Sequence, residues 1–118
     1  MEQLIATLFL AREIAHREHL RTRSYAQHMA LGTFYEDIVE NADEIAEVYQ
    51  GRFGLLGEIP ILVNTVQGDI TAVLQSHVEW IFANRYSACP REETEVQNLI
   101  DEAVATYNHA LYKLRLLG

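Results

Sequence analysis

Histidine and carboxylate side chains recur along a segment near residues 24 to 50, and these are residue types that bind transition metals. At about 100° per residue, His28, Glu36, Asp43 and Glu47 fall on one flank of a predicted helix. Carboxylates combined with an imidazole suit iron or manganese, and also zinc. We therefore expect a metal site here, completed by a neighbouring helix or a second subunit. The alternative interpretation is a solvated acidic helix face.

Two further histidines lie on the first predicted helix. His19 continues the apolar stripe of that helix, so we expect it to face inward or toward an interface. His16 ends a Glu13-x-x-His16 pattern, which is the spacing found in di-iron carboxylate bundles. Such centres need a second copy of the motif, and His77 and His109 both lack the acidic residue three positions earlier. An intrasubunit di-iron centre is therefore not expected.

Apolar periodicity predicts the elements that must position these side chains. Spacings of three and four residues indicate helices at about 2–21, 24–50, 69–87 and 92–117. Ser24 and Asp69 are predicted N-caps, and Gly51 followed by Gly54 should end the second helix. The segment 51–68 is predicted to be a loop with a short helical turn. Together these elements predict one all-α domain over residues 1–118, an antiparallel four-helix bundle with short corners.

Composition excludes several classes of protein. The chain of 118 residues has 9 Lys+Arg, 17 Asp+Glu and a net charge of −8, so general nucleic-acid binding is not expected. Its apolar runs are far shorter than the roughly 20 residues of a membrane span, and the N-terminus lacks signal-peptide features. A single cysteine, Cys89, permits no internal disulfide, which predicts a cytoplasmic setting. Phosphate-binding and dinucleotide motifs are absent, and no catalytic residue can be assigned.

The second helix resembles that of Dps-type miniferritins. The matching text is HMALGTFYED over residues 28–37 and DEIAE over residues 43–47. The resemblance implies a ferritin-like bundle in which iron binds between two subunits. His28 and an upstream histidine, His19 or His16, would come from one subunit, and Asp43 and Glu47 from its mate. At the position of a further acidic ligand this chain has Gly32, for which Glu36, one turn later, is a substitute.

The whole chain also looks like short ferritin-like proteins of tailed phages. The matching segments are HLRTRSYAQHMALGTFYEDI, AEVYQGRFG and NLIDEAVATYNHALYKLRLL. Two functions follow from these resemblances. The first is a homo-oligomer, a dimer or larger, that binds iron or another divalent metal at His19, His28, Glu36, Asp43 and Glu47, with at most a ferroxidase-like activity. The alternative is a metal-free phage accessory or structural protein that binds a host or virion protein, in the host cytoplasm if it is phage-encoded.

Overall fold

Four α-helices form the molecule. The structure, a computed structural model, describes residues 1–117; the last residue of the chain lies outside the described part. The helices are α1 (Glu2–Arg21), α2 (Tyr25–Phe53), α3 (Ile70–Ala88) and α4 (Thr94–Leu116). Across residues 1–117 there is no β-strand. The predicted all-α four-helix bundle is therefore confirmed.

Each helix packs against two neighbours and lies diagonally opposite the third. α1 contacts α2 and α3, and α4 contacts the same two helices. Adjacent helices run antiparallel: Arg52, at the end of α2, bonds Glu93, just before α4, and Arg85, near the end of α3, bonds Asp101, near the start of α4. The diagonal pair α2 and α3 consequently runs in the same direction.

The connection between α2 and α3 is a long crossover over residues 54–69. Since α2 has 29 residues, its axis is about 43 Å long, and the chain must travel back along it before α3 begins. The predicted short corner and short helical turn are wrong here, because this segment is irregular throughout. Its start is held by the Gly57 amide, which donates to the Glu2 carboxylate at 2.8 Å, and by the Leu56 amide, which donates to the Gln50 side chain.

Local capping fixes the ends of α2 and α3. The Ser24 hydroxyl accepts a hydrogen bond from the Gln27 amide, and the Asp69 carboxylate accepts one from the Ala72 amide, so both predicted N-caps are confirmed. Gly51 does not end α2; the helix continues to Phe53. The end comes at Gly54, whose φ of 97° is a left-handed conformation that favours glycine.

A single apolar core fills the space between the four helices. Its largest fully buried side chains include Phe34 of α2 and Tyr107 of α4, whose rings meet edge to face at 5.1 Å. The predicted apolar stripe of α2 is buried at Leu31, Phe34, Ile38, Ala42 and Ile45. Within residues 1–117 no helix is long and apolar enough to cross a membrane.

Candidate functional site: a histidine cluster at the α1/α2 corner

A three-residue corner, Thr22–Ser24, brings the last turn of α1 beside the first turn of α2. Because the two helices are antiparallel, His19 and His28 come side by side across this corner. Their rings stack with centroids 3.8 Å apart and an interplanar angle of 17°. The open question of which α1 histidine approaches His28 is thereby answered: it is His19.

The two histidines exchange hydrogen bonds with each other's backbone. His19 Nδ1 lies 2.6 Å from the carbonyl oxygen of His28, and His28 Nδ1 lies 2.8 Å from that of His19. A carbonyl oxygen only accepts, so both Nδ1 atoms carry the proton and donate it. The His19 carbonyl is one of the last four of α1, which have no partner within the helix, so His28 also caps α1. In the neutral ring, Nε2 keeps its lone pair.

His16 belongs to a different contact. Its ring stacks on Tyr35 of α2 at 4.3 Å, while the centroid of His19 is 6.3 Å away. The guanidinium of Arg12 lies over the Tyr35 ring at 5.6 Å. His19 also meets the edge of Tyr35 at 5.3 Å. His28, His19, His16 and Tyr35 therefore form one partly buried cluster of rings along the α1/α2 boundary, which we name the histidine cluster.

Gly32 has a steric role in this cluster. A Cβ added at Gly32 would lie 3.1 Å from Cε1 and 3.3 Å from Nδ1 of His19. These distances are tighter than ordinary contacts, so the glycine makes room for the His19 ring. A side chain at this position would require the His19 ring to move by a few tenths of an ångström. The absence of a side chain at position 32 and the placement of the His19 ring are therefore linked.

The predicted carboxylate ligands lie elsewhere on α2. Glu36, Asp43 and Glu47 are exposed. At about 1.5 Å per residue, Asp43 is about 22 Å and Glu47 about 28 Å from His28 along the helix axis, and Glu36 about 12 Å. Across residues 1–117 no three or more histidine, cysteine, aspartate or glutamate side chains form an arrangement that could hold a metal ion. One chain does not bring the five predicted ligands together.

A second polar group, which the sequence did not predict, lies inside the bundle. His77 of α3 is 6 % exposed, and its Nδ1 lies 3.2 Å from the hydroxyl of Tyr107, which is fully buried. Burial lowers the pKa of His77 to about 4 and raises the pKa of Tyr107. The sequence signal that could have indicated burial of His77 was its position on the apolar stripe of α3, one turn after Val73 and Leu74. Its partner is 30 residues away, so local pattern could not reveal the pair.

A buried polar network joins α3 and α4 near their connection. Arg85, 6 % exposed, donates to the side chain and the carbonyl oxygen of Gln97 and to Asp101. The Gln97 amide in turn donates to the carbonyl oxygens of Arg85 and Cys89. These hydrogen bonds join the end of α3 to the start of α4, so we assign the network to the packing of α3 on α4.

The fold and the histidine cluster thus describe a four-helix bundle with one long crossover and paired imidazoles at one corner. The chain belongs to DUF5856, a family of unknown function, whose model matches residues 19–114. The match begins at His19 in the last turn of α1 and extends into α4. Comparison with curated proteins gives no match, and comparison with solved structures gives none either.

Proposed function

We propose that this protein is a homo-oligomer that binds a divalent metal ion, iron above all, between two copies of the chain. The observation that carries the proposal is the reciprocal hydrogen bonding of His19 and His28. Histidines that bind metals commonly donate one ring N–H to a backbone carbonyl, which fixes the tautomer and presents the other nitrogen. Both rings meet this condition. Imidazole nitrogen is a good ligand for iron and for zinc.

The carboxylate ligands come from the second copy. Because Asp43 and Glu47 are too far from His28 in their own chain, a mate must supply them. The midpoint of positions 28 and 43 falls between Tyr35 and Glu36. A two-fold axis beside those residues, with α2 antiparallel to its mate, would put His28 of each copy opposite Asp43 of the other. Such an isologous dimer would contain two equivalent sites, with Glu36 near the axis.

The charge of the α2 surface supports this arrangement. Six exposed carboxylates lie between positions 36 and 47, and none of them forms an ion pair within residues 1–117. They are Glu36, Asp37, Glu40, Asp43, Glu44 and Glu47. Unpaired like charges on one helix repel one another, so a bound cation would relieve that repulsion. The same surface would attract Fe²⁺ from solution.

The test is anaerobic titration with Fe(II) and separately with Zn(II) by calorimetry, with light scattering on the same sample. We expect stoichiometric binding to a dimer or larger assembly. The D43A/E47A double variant should lose this binding and keep its helical content, because both positions are exposed. E40A/E44A, which removes the same charge from the same helix, is the matched control and should still bind. Equal binding by D43A/E47A and wild type would overturn the proposed ligands.

Oxidation of bound Fe(II) is the activity to test next, with iron as the substrate. An activity of this kind, at most ferroxidase-like, would require an oxidant such as O₂ or peroxide. The chain's residues would hold the ion and balance its charge. We place the protein in the cytoplasm, and in the host cytoplasm if a phage encodes it.

A second candidate is a metal-free oligomeric phage accessory or structural protein that binds a host or virion partner. The specific observation in its favour is Gly32, which supplies no carboxylate beside the paired imidazoles and leaves room for the His19 ring. In this case the histidine cluster only fastens α1 to α2. Native mass spectrometry in EDTA, on wild type and D43A/E47A, distinguishes the candidates. An oligomer unchanged in both samples, together with no calorimetric metal binding, would support the metal-free protein.

A further inference from the structure

A cleft of about 500 Å³ lies between the crossover and the α1/α3 pair, away from the histidine cluster. This volume is within the range of small-molecule sites, roughly 300–1,000 Å³. One wall is the irregular segment 61–66; the other lining residues include Thr7 of α1 together with His77 and Trp80 of α3. None of the residues that line the cleft carries a formal charge with His77 neutral. An ion would find no partner of opposite charge there.

His77 supplies a hydrogen-bond donor to this cleft. The hydroxyl of Tyr107 is fully buried, and its partner within residues 1–117 is His77 Nδ1. The buried O–H must donate to that nitrogen, because a buried donor without an acceptor is costly. His77 therefore carries its proton on Nε2. His77 Nε2 has no hydrogen-bond partner within residues 1–117. Every fully buried side-chain nitrogen or oxygen in this part of the chain has a partner, so Nε2 must keep some exposure to solvent.

The hydroxyl protons of Thr7 and Ser76, two other groups that line the cleft, already serve backbone carbonyls. The Thr7 hydroxyl donates to the Gln3 carbonyl at 2.8 Å, and the Ser76 hydroxyl donates to the Val73 carbonyl at 2.7 Å. The His77 Nε2–H, in contrast, has no acceptor within residues 1–117 and lies beside a largely apolar wall. Burial of the ring lowers its pKa to about 4, so the imidazole stays neutral near pH 7.

We propose that this cleft binds an uncharged small molecule that has an apolar body and a carbonyl oxygen. The carbonyl accepts from His77 Nε2–H, and the apolar body lies against Trp80 and the crossover side chains. The charge-free lining selects a neutral ligand over a carboxylate or an ammonium group. This site does not depend on metal binding, and it involves α1, α3 and the crossover rather than the α1/α2 corner.

Two probes of the same shape test the proposal: benzylacetone, which has a carbonyl oxygen, and isopentylbenzene, in which a methyl group replaces that oxygen. Trp80 is the single tryptophan of the chain, so its fluorescence and indole N–H resonance report binding in the cleft. The variant is H77L/Y107F, which removes the donor without leaving a buried hydroxyl unpaired. We expect it to weaken benzylacetone about fivefold, the worth of one hydrogen bond, and isopentylbenzene less than twofold.

The control variant H109L removes an exposed histidine of α4 and should bind both probes as wild type does. Nitrogen-15 spectra of wild-type His77 give an independent measurement that needs no variant. Benzylacetone should shift the Nε2–H resonance, and isopentylbenzene should leave it in place. The proposal is overturned if neither probe perturbs Trp80, if H77L/Y107F weakens both probes equally, or if the Nε2–H resonance does not respond to the ketone.

Discussion

Protonation of His77 should make the stability of this protein depend on pH. The imidazole is 6 % exposed, and burial lowers its pKa from 6.5 to about 4. In the unfolded chain the same group has its ordinary pKa. Below pH 6.5 the unfolded state therefore binds a proton that the folded state does not bind until about pH 4. The contribution of neutral His77 is present above pH 6.5 and is lost as the pH falls toward 4.

The magnitude follows from the two pKa values. The full difference corresponds to about 3 kcal/mol at 1.36 kcal/mol per pKa unit. Between about pH 7 and about pH 5 the linkage relation gives a loss of about 2 kcal/mol in the free energy of unfolding. Loss of the hydrogen bond from Tyr107 acts in the same direction, because protonated Nδ1 can no longer accept.

Urea unfolding of wild type and H77Q at a series of pH values measures this effect. The amide side chain of the H77Q variant can still accept from Tyr107, but it does not titrate. H77Q should lose about 2 kcal/mol less than wild type between about pH 7 and about pH 5. H109Q, which replaces an exposed histidine, should follow the wild-type curve. Parallel curves for wild type and H77Q would refute the reasoning, because His77 would then take up its proton equally in both states.

Three further predictions concern packing. Gly51→Ala should raise the free energy of unfolding by about 0.5–1 kcal/mol, because nothing lies within 4 Å of the added Cβ. Gly32→Ala should not raise it, because its Cβ would lie 3.1 Å from the His19 ring. Urea unfolding of both variants tests this difference. Arg85→Ala should cost about 3 kcal/mol, because it removes the bonds from this side chain to Gln97 and Asp101. Asp101→Ala should cost less, because Arg85 keeps both bonds to Gln97; a similar cost for both would contradict this. Cys89 is buried and burial raises its pKa, so a thiol reagent should label the native protein only as fast as it opens; labelling at the rate of a free thiol would show that Cys89 is accessible.

The helices could be predicted because their signals are local. The stripe of α2 appears every three or four residues, and Ser24 and Asp69 each act on an amide three positions later. The path of residues 54–69 could not be predicted in the same way. Its anchor is the contact between Gly57 and Glu2, two residues separated by 55 positions. No periodicity within the segment carries information about a partner so distant in the chain.

In the candidate sites, too, local features could be predicted from the sequence and contacts between distant residues could not. Helical spacing predicted that His28 borders the apolar stripe and that His19 points away from solvent. It could not predict that each Nδ1 donates to the other's carbonyl, because that pairing depends on the angle of the Thr22–Ser24 corner. The pair of His77 and Tyr107 depends on how α3 packs against α4. Sequence pattern therefore predicted the histidines of the α1/α2 corner but neither the pair of His77 and Tyr107 nor the atoms available to a ligand.

Gly32 links the structure of the histidine cluster to the choice between the two proposed functions. Considered as sequence, the glycine is a lost ligand and weakens the metal hypothesis. In the structure the absence of a Cβ at position 32 leaves room for the His19 ring, which donates to the carbonyl oxygen of His28. With glycine at position 32 the chain supplies no carboxylate there, and Asp43 and Glu47 lie far along α2. Any metal held at this corner must then take its negative charge from another copy, so metal binding and oligomeric state should vary together.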